Sequence, residues 1–381
     1  MASTETSLQD LDSIVQTASA FVVQLQTVLD EIHKSAAPSS TTLNTTAEAS
    51  QDPNVDALAL ARDAASLIKA HSTKISLLII NKPFTASAVT TVVRELVAGP
   101  IPGIASAAQS CDPDRYTNLL RRELAWCARR VLAGLHELLL LIPKDGKVLP
   151  QDKHKGFSAD AKGSITTTGV LWSACDDVVN LSNGGVAGFM LKQVEGWRDT
   201  LKDVMEELKE WSEEEPDDDD DESDAGTDGE DAGVTNSHTA TQDMLDELMD
   251  SHRAIPRSDP ENIRPRLNTS LTRIRLVILL YQAIVKRRIK KLPAIPSDTA
   301  STHKVPQRLD EAASLLRKIP DQFGDLACAF YELDVVEIDK AMDQCFFDAF
   351  AASELLNKDW EGARDVFSEW TDKFRTEIKK E

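Results

Sequence analysis

His136 and Glu137 open the way a zinc-binding helix opens, with an imidazole ligand followed by a carboxylate that could act as general base. That chemistry needs a second histidine one turn further on, and Leu140 stands in its place. His136 lies beside an apolar helical seam, so it reads as a structural or partly exposed residue. Gly184, Gly185 and Gly188 follow no strand, lack the G-x-G-x-x-G spacing and have no Lys-Ser/Thr after them. They suit a turn between helices better than a phosphate cradle. There is no G-x-S-x-G elbow. The five cysteines, Cys111, Cys127, Cys175, Cys328 and Cys345, form no C-x-x-C pair. Cys127, Cys175 and Cys328 sit in apolar helical patterns, which predicts buried, reduced thiols of a cytosolic or nuclear protein. No catalytic, cofactor-binding or metal-ligating set emerges. The expectation is a protein that binds other proteins and is not an enzyme.

Two charged runs have two readings each. Lys286, Arg287, Arg288, Lys290 and Lys291 form a basic cluster of the kind read as a nuclear import signal. Cations at a helix C-terminus also complement the helix dipole with no receptor involved. Between Glu213 and Asp231 there are 13 acidic residues and no basic ones. This run is either a solvated spacer or a lure for basic partners. Ser212 and Thr227 have acidic residues after them and could be phosphorylated, adding charge where it is already dense. The formal net charge of -21 argues against nucleic acid as a direct partner. The longest apolar runs, Leu138–Ile142 and Leu276–Leu280, are too short to span a membrane. The N-terminus shows no secretory pattern.

The elements that would carry these residues are helices. Leu8, Leu11, Val15, Ala18, Val22, Leu25, Leu29 and Ile32 recur at three- and four-residue steps, and Ile14, Phe21 and Val28 widen the stripe. The wide stripe fits a bundle core, although a strict seam could pair with a second chain. Helices are expected from Asp52-Pro53 to Ile80, over Thr85–Ala98, and from Asp112-Pro113 to Ile142. One more is capped by Thr166–Thr168, and another follows the Asn183-Gly184-Gly185 break. Trp172, Cys175 and Val179 fall on one face of the first of these two and are expected in the core. Helical patterning resumes at Met244–Met249 and runs through Ile263–Lys291, Pro306–Lys318, Gln322–Tyr331, Val335–Leu356 and Trp360–Ile378. With no alternating strand pattern, the fold class is all-α. Two antiparallel helical bundles, 1–212 and 241–381, are joined by a disordered acidic linker at 213–240.

The stretch Asn118-Leu-Leu-Arg-Arg-Glu-Leu, then Leu135-His-Glu-Leu-Leu-Leu-Leu, and the segment Thr168-Gly-Val-Leu-Trp-Ser-Ala-Cys-Asp176 resemble the cyclin-D-binding protein family, also called Grap2- and cyclin-D-interacting proteins. Thr168, Gly169, Trp172, Cys175 and Asp176 carry the most distinctive part. The resemblance implies a two-bundle fold similar to talin-type bundles. It also implies a regulator of cell cycle and transcription, in nucleus and cytoplasm, that binds cyclin or helix-loop-helix factors. It brings no catalytic residue. A structural bundle at the cytoskeleton is the alternative that the fold similarity alone would suggest.

Overall fold

The computed structural model describes residues 2–35, 56–149, 163–213, 254–296 and 304–379. Every element in them is helical, and among these residues there is no strand. The acidic run beyond Glu213, Thr227 and the Met244–Met249 pattern lie outside the described residues.

The first seam folds as α1, Ala2–Lys34. Its stripe residues Leu11, Val15, Ala18, Val22 and Leu29 are buried within the same chain, against α3 (Ala86–Ala98) and α5 (Asn118–Leu140). α2 (Ala57–Ile80) starts later than the sequence suggests. Its cap is Asp56, whose carboxylate accepts from the amides of Leu58 and Ala59.

The most apolar stretch, Ala86–Ser110, is two helices, with Gly99 between α3 and α4 (Pro100–Ser110). At 13 and 11 residues, each reaches no more than about 20 Å, short of a hydrocarbon layer of about 30 Å. The sequence reading missed α4, because Pro100, Pro102 and Gly103 mask its Ile101, Ile104, Ala105 and Ala108 face. Asp112 and Pro113 make a turn rather than a helix start. α5 begins at Asn118, where the Thr117 hydroxyl accepts from the Leu120 amide. The carboxylate of Asp310 accepts from Asn118 and Leu119 at 2.7 and 3.0 Å. Burial pushes the pKa of that carboxyl up while the two amides pull it down.

α6 spans Ser164–Glu213 with one break at Gly185, φ 58°, ψ −165°. That left-handed φ, open to glycine at little cost, divides it into two arms. Thr166–Thr168 lie inside the first turns, and the Thr168 hydroxyl donates to the Ser164 carbonyl at 2.7 Å, so they are not the cap. α7 (Ile263–Arg287), a short 3₁₀ turn (Ile289–Lys291), α8 (Val305–Tyr331), α9 (Val335–Leu355) and α10 (Val366–Ile378) complete the described chain. α8 continues through Pro320, where the sequence suggests two helices.

The chain groups into two compact units: Met1–Phe189 with Pro293–Asp310, and Met190–Leu292 with Glu311–Glu381. The divisions fall inside α6, just past the Gly185 break, between Leu292 and Pro293, and inside α8. The sequence placed the first boundary at 212, where composition changes. In the first unit, α1 runs antiparallel to α5, since Arg122 meets His33 while Lys144 meets Asp12. α2 and the first arm of α6 are antiparallel too, held by Lys69–Asp176 and Ser76–Thr168. In the second unit, the other arm of α6 seats Trp211 against Phe330 and Tyr331. Arg375 of α10 pairs with Glu354 of α9 at 2.8 Å.

Candidate protein-interaction groove

α5 is buried along most of its circumference, through Leu120, Leu124, Ala128, Val131, Leu135 and Leu138. What it leaves outward is a narrow line: Trp126, Arg130, Ala133, Glu137 and Leu140, at alternating four- and three-residue steps. Trp126 is 38% exposed and Leu140 60%. Along this line, Gln26 of α1, Arg130, Ala133, Gly134, His136 and Glu137 of α5, and Val170 and Ala174 of α6 enclose an open groove of about 310 Å³. The small residues set its depth. A Cβ on Gly134 would lie 3.3 Å from the Leu171 backbone, so glycine lets α5 and α6 approach closely. Val170 stays 47% exposed on the α6 wall, and Val23 of α1 46%.

Polar groups gather at the Trp126 end. The His33 ring lies 5.2 Å from the indole, and the Arg129 guanidinium lies 5.7 Å from it. Arg122 donates to the His33 carbonyl at 2.7 Å. Arg130 pairs with Asp177 at 2.8 Å, and Asp30 is shared between Lys34 and Arg129. Lys34 beside Asp30 holds its carboxyl below the usual range.

The distinctive segment of α6 divides between core and surface. Thr168 and Cys175 are buried. Gly169 and Asp176 are exposed, and Trp172, expected in the core, is 37% exposed. Leu171 takes the core position expected for the larger ring. Trp172 faces the α2 side, one turn from the Lys69–Asp176 pair. Ile165 and Leu77 are exposed there as well. A Cβ on Gly169 would touch nothing within 4 Å.

The basic cluster does not stand together. Lys286, Lys290 and Lys291 are exposed, and Arg287 is half-buried. Arg288 is 1% exposed and belongs to the fold. It forms a bidentate pair with Asp365, both bonds at 2.9 Å. It also donates to the carbonyls of Leu356, Asn357 and Arg287 and lies 4.3 Å from the Phe367 ring centroid. An import receptor reading all five cations is therefore not served by the folded chain. The guanidinium, with two amides of α10, holds the Asp365 carboxyl well below the usual carboxylate range.

Burial pushes the thiols of Cys111, Cys127, Cys175 and Cys345 up to about 12. These are inert thiols at neutral pH. Cys328, expected to be buried, is exposed because it falls on the outer side of α8. Among the described residues, no group of three His, Cys, Asp or Glu side chains could hold a metal ion.

Residues 61–214 match the family model described as Grap2 and cyclin-D-interacting, N-terminal. Over that span, which is less than half of the chain, the sequence is similar to the cyclin-D-binding protein family. The matched span contains α5, most of α2 and all of α6, and thus two of the three walls of the groove. An uncharacterised protein of Schizosaccharomyces pombe is 26% identical over 234 residues. That match covers 61% of this chain and 62% of the relative. The groove is not legible in the sequence, because its outward residues are individually ordinary. The signal was Trp126, an indole off the buried seam of an otherwise core helix and four residues from Arg130.

Proposed function

We propose that this chain is a non-enzymatic regulator that captures a helix of another protein in the α1–α5–α6 groove. Its partners would be cyclin or helix-loop-helix factors acting in cell-cycle control and transcription. The observation that carries the reading is the open groove along the Trp126–Leu140 line, an outward strip of apolar and charged residues on an otherwise buried helix. The family description, Grap2 and cyclin-D-interacting, supports the cyclin part of this partner class. Val170→Asp places a charge on the exposed wall and Trp126→Ala removes the indole, both without opening the core. The test is calorimetric titration with the cyclins and helix-loop-helix factors of the source organism. The parent should bind, and each variant should bind at least about tenfold more weakly, a loss of about 1.4 kcal/mol, with an unchanged melting temperature. Variants that bind like the parent would remove the groove from the proposal, and a parent that binds none of these factors would remove the partner class.

The reading extends to residence in both nucleus and cytoplasm, with import resting on the exposed Lys286, Lys290 and Lys291. Replacing these three with Ala, with Arg288 kept, should shift a fluorescent fusion toward the cytoplasm. An unmoved distribution would leave the lysines as complements of the helix end.

A further inference from the structure

The chain is acidic, but one stretch of the second unit carries no carboxylate at all. From Asn262 to Leu292, across α7 and the 3₁₀ turn after it, there are nine Arg and Lys and no Asp or Glu, in a chain of net charge -21. Four of the nine have partners. Arg264 donates to the Ile255 carbonyl, Arg266 pairs with Asp339, Arg273 lies over the Phe346 ring, and Arg288 is held by Asp365. The other five are Arg275, Lys286, Lys290 and Lys291, all exposed, and the half-buried Arg287. Among the described residues, none of these five is in an ion pair.

On α7, Arg275, Leu279, Gln282 and Lys286 are exposed and follow one another at four-, three- and four-residue steps. They therefore share one outward line about 16 Å long, and Lys290 and Lys291 stand just past its end. The helix dipole accounts for cations in the last turn only, and Arg275 lies about three turns before it. The neighbouring elements do not reverse the sign of this line. α9 packs on α7, and its Asp339 is held by Arg266. The turn from Leu356 to Asp365 meets the end of α7 through Arg288 and Trp360. It brings Asp359, Glu361 and Asp365 against Lys358 and Arg364. Of these carboxylates, Asp365 is held by Arg288, and Asp359 accepts from the amides of Glu361 and Ala363.

The same chain holds a segment of the opposite kind. Residues 213–231 carry 13 Asp and Glu and no cation. The run starts at Glu213 on the second arm of α6, and the described chain resumes at Ala254, ahead of α7; both residues belong to the second unit. The forty residues between them, 214–253, extend by up to about 3.3–3.6 Å each and reach any face of a unit of this size. A segment tethered in this way acts at about millimolar effective concentration, ahead of a free acidic partner. We propose that the acidic run 213–231 docks on the α7 line of its own chain, with its carboxylates against Arg275, Lys286, Lys290 and Lys291. The contact is ionic and weakens with salt. It is independent of the groove. It covers the lysines on which the import reading rests, so that import would require the run to be displaced.

The test is cross-linking of the full chain with a carbodiimide, which joins a lysine amine to a carboxylate in contact with it and takes up the water released. Mass spectrometry then reads the linked residues. In low salt, the run should be linked to Lys286, Lys290 and Lys291 at least about tenfold more often than to Lys318 and Lys373, exposed lysines of the same unit. The links should fade as salt rises. A mixture of isotope-labelled and unlabelled chain separates links within a chain from links between copies. Arg275→Lys should add a link at position 275, with circular dichroism showing that the variant remains folded. Because the links are read on the purified chain, a failed import experiment leaves this contact standing. Equal linking of all five lysines, no link to the three, links only between copies, or a silent position 275 would each overturn the proposal.

Discussion

Arg288 shows what one side chain's surroundings do to a motif. As a string, Lys286–Lys291 offers five cations to a receptor; as a structure, it offers three exposed lysines and a buried hub. The hub joins the end of α7, the Leu356–Asn357 turn and the cap of α10, and the Trp360 indole donates to the Arg288 carbonyl at 3.0 Å. Removing one partner of such a pair leaves the other buried and uncompensated. Asp365→Ala should therefore destabilise the second unit by about 3–5 kcal/mol, measured by urea unfolding. The pH dependence follows in sign. The folded-state pKa of Asp365 is depressed, so its contribution is fully present above the ordinary carboxylate pKa of about 3.9 and is lost as pH falls through the lower folded value. The parent should lose stability below about pH 4 more steeply than Asp365→Ala does. Parallel curves would remove the pair from the acid response. None of this was legible in sequence, because Arg288 and Asp365 are 77 residues apart.

At the scale of elements, helices with strong seams were legible and helices made of small residues were not. α1 follows its stripe through Leu29, whereas α4 hides behind Pro100, Pro102 and Gly103. The distinctive segment of α6 was placed correctly as a helix and wrongly in rotation. Trp172, Cys175 and Val179 share a face at three- and four-residue steps, but the buried row is Thr168, Leu171, Cys175 and Val178, about one position round. Hydrophobicity alone favoured the indole for the interior. The packing of α6 against both α2 and α5 assigns that place to Leu171. Two consequences can be measured on this element. Trp172→Ala should cost well under the about 3–5 kcal/mol of a fully buried ring. Gly169→Ala should raise stability by about 0.5–1 kcal/mol, since a mid-helix glycine is unfavourable and its Cβ would meet open space. Denaturant midpoints for both variants decide this. A large loss at Trp172, or any loss at Gly169, would mean that this face is packed.

The whole molecule is organised against the grain of its composition. The acidic run invites a cut near 212, yet the first unit includes Pro293–Asp310 and the second begins at Met190. Composition marks where a chain is highly charged; it says nothing of which segments return to which core. A fragment of residues 1–212 would lack the carboxylate that caps α5. It would also carry Val194, Leu201, Leu208 and Trp211, buried in the full chain, with nothing to cover them. A fragment of residues 241–381 would lack that same arm. Both fragments should melt less cooperatively than the full chain and bind a hydrophobic dye. A 1–212 fragment that melts sharply without dye binding would show that the arm finds its cover locally.

Asp310 gives this discontinuity an order in time. The carboxylate that closes the first turn of α5 lies 192 residues beyond Asn118 in the chain. On a ribosome adding about 5–20 residues per second, the helix that floors the groove would wait roughly ten to forty seconds for its cap. During synthesis, the first unit is thus a nearly complete body with an open end, and it closes only after most of the second unit has been made.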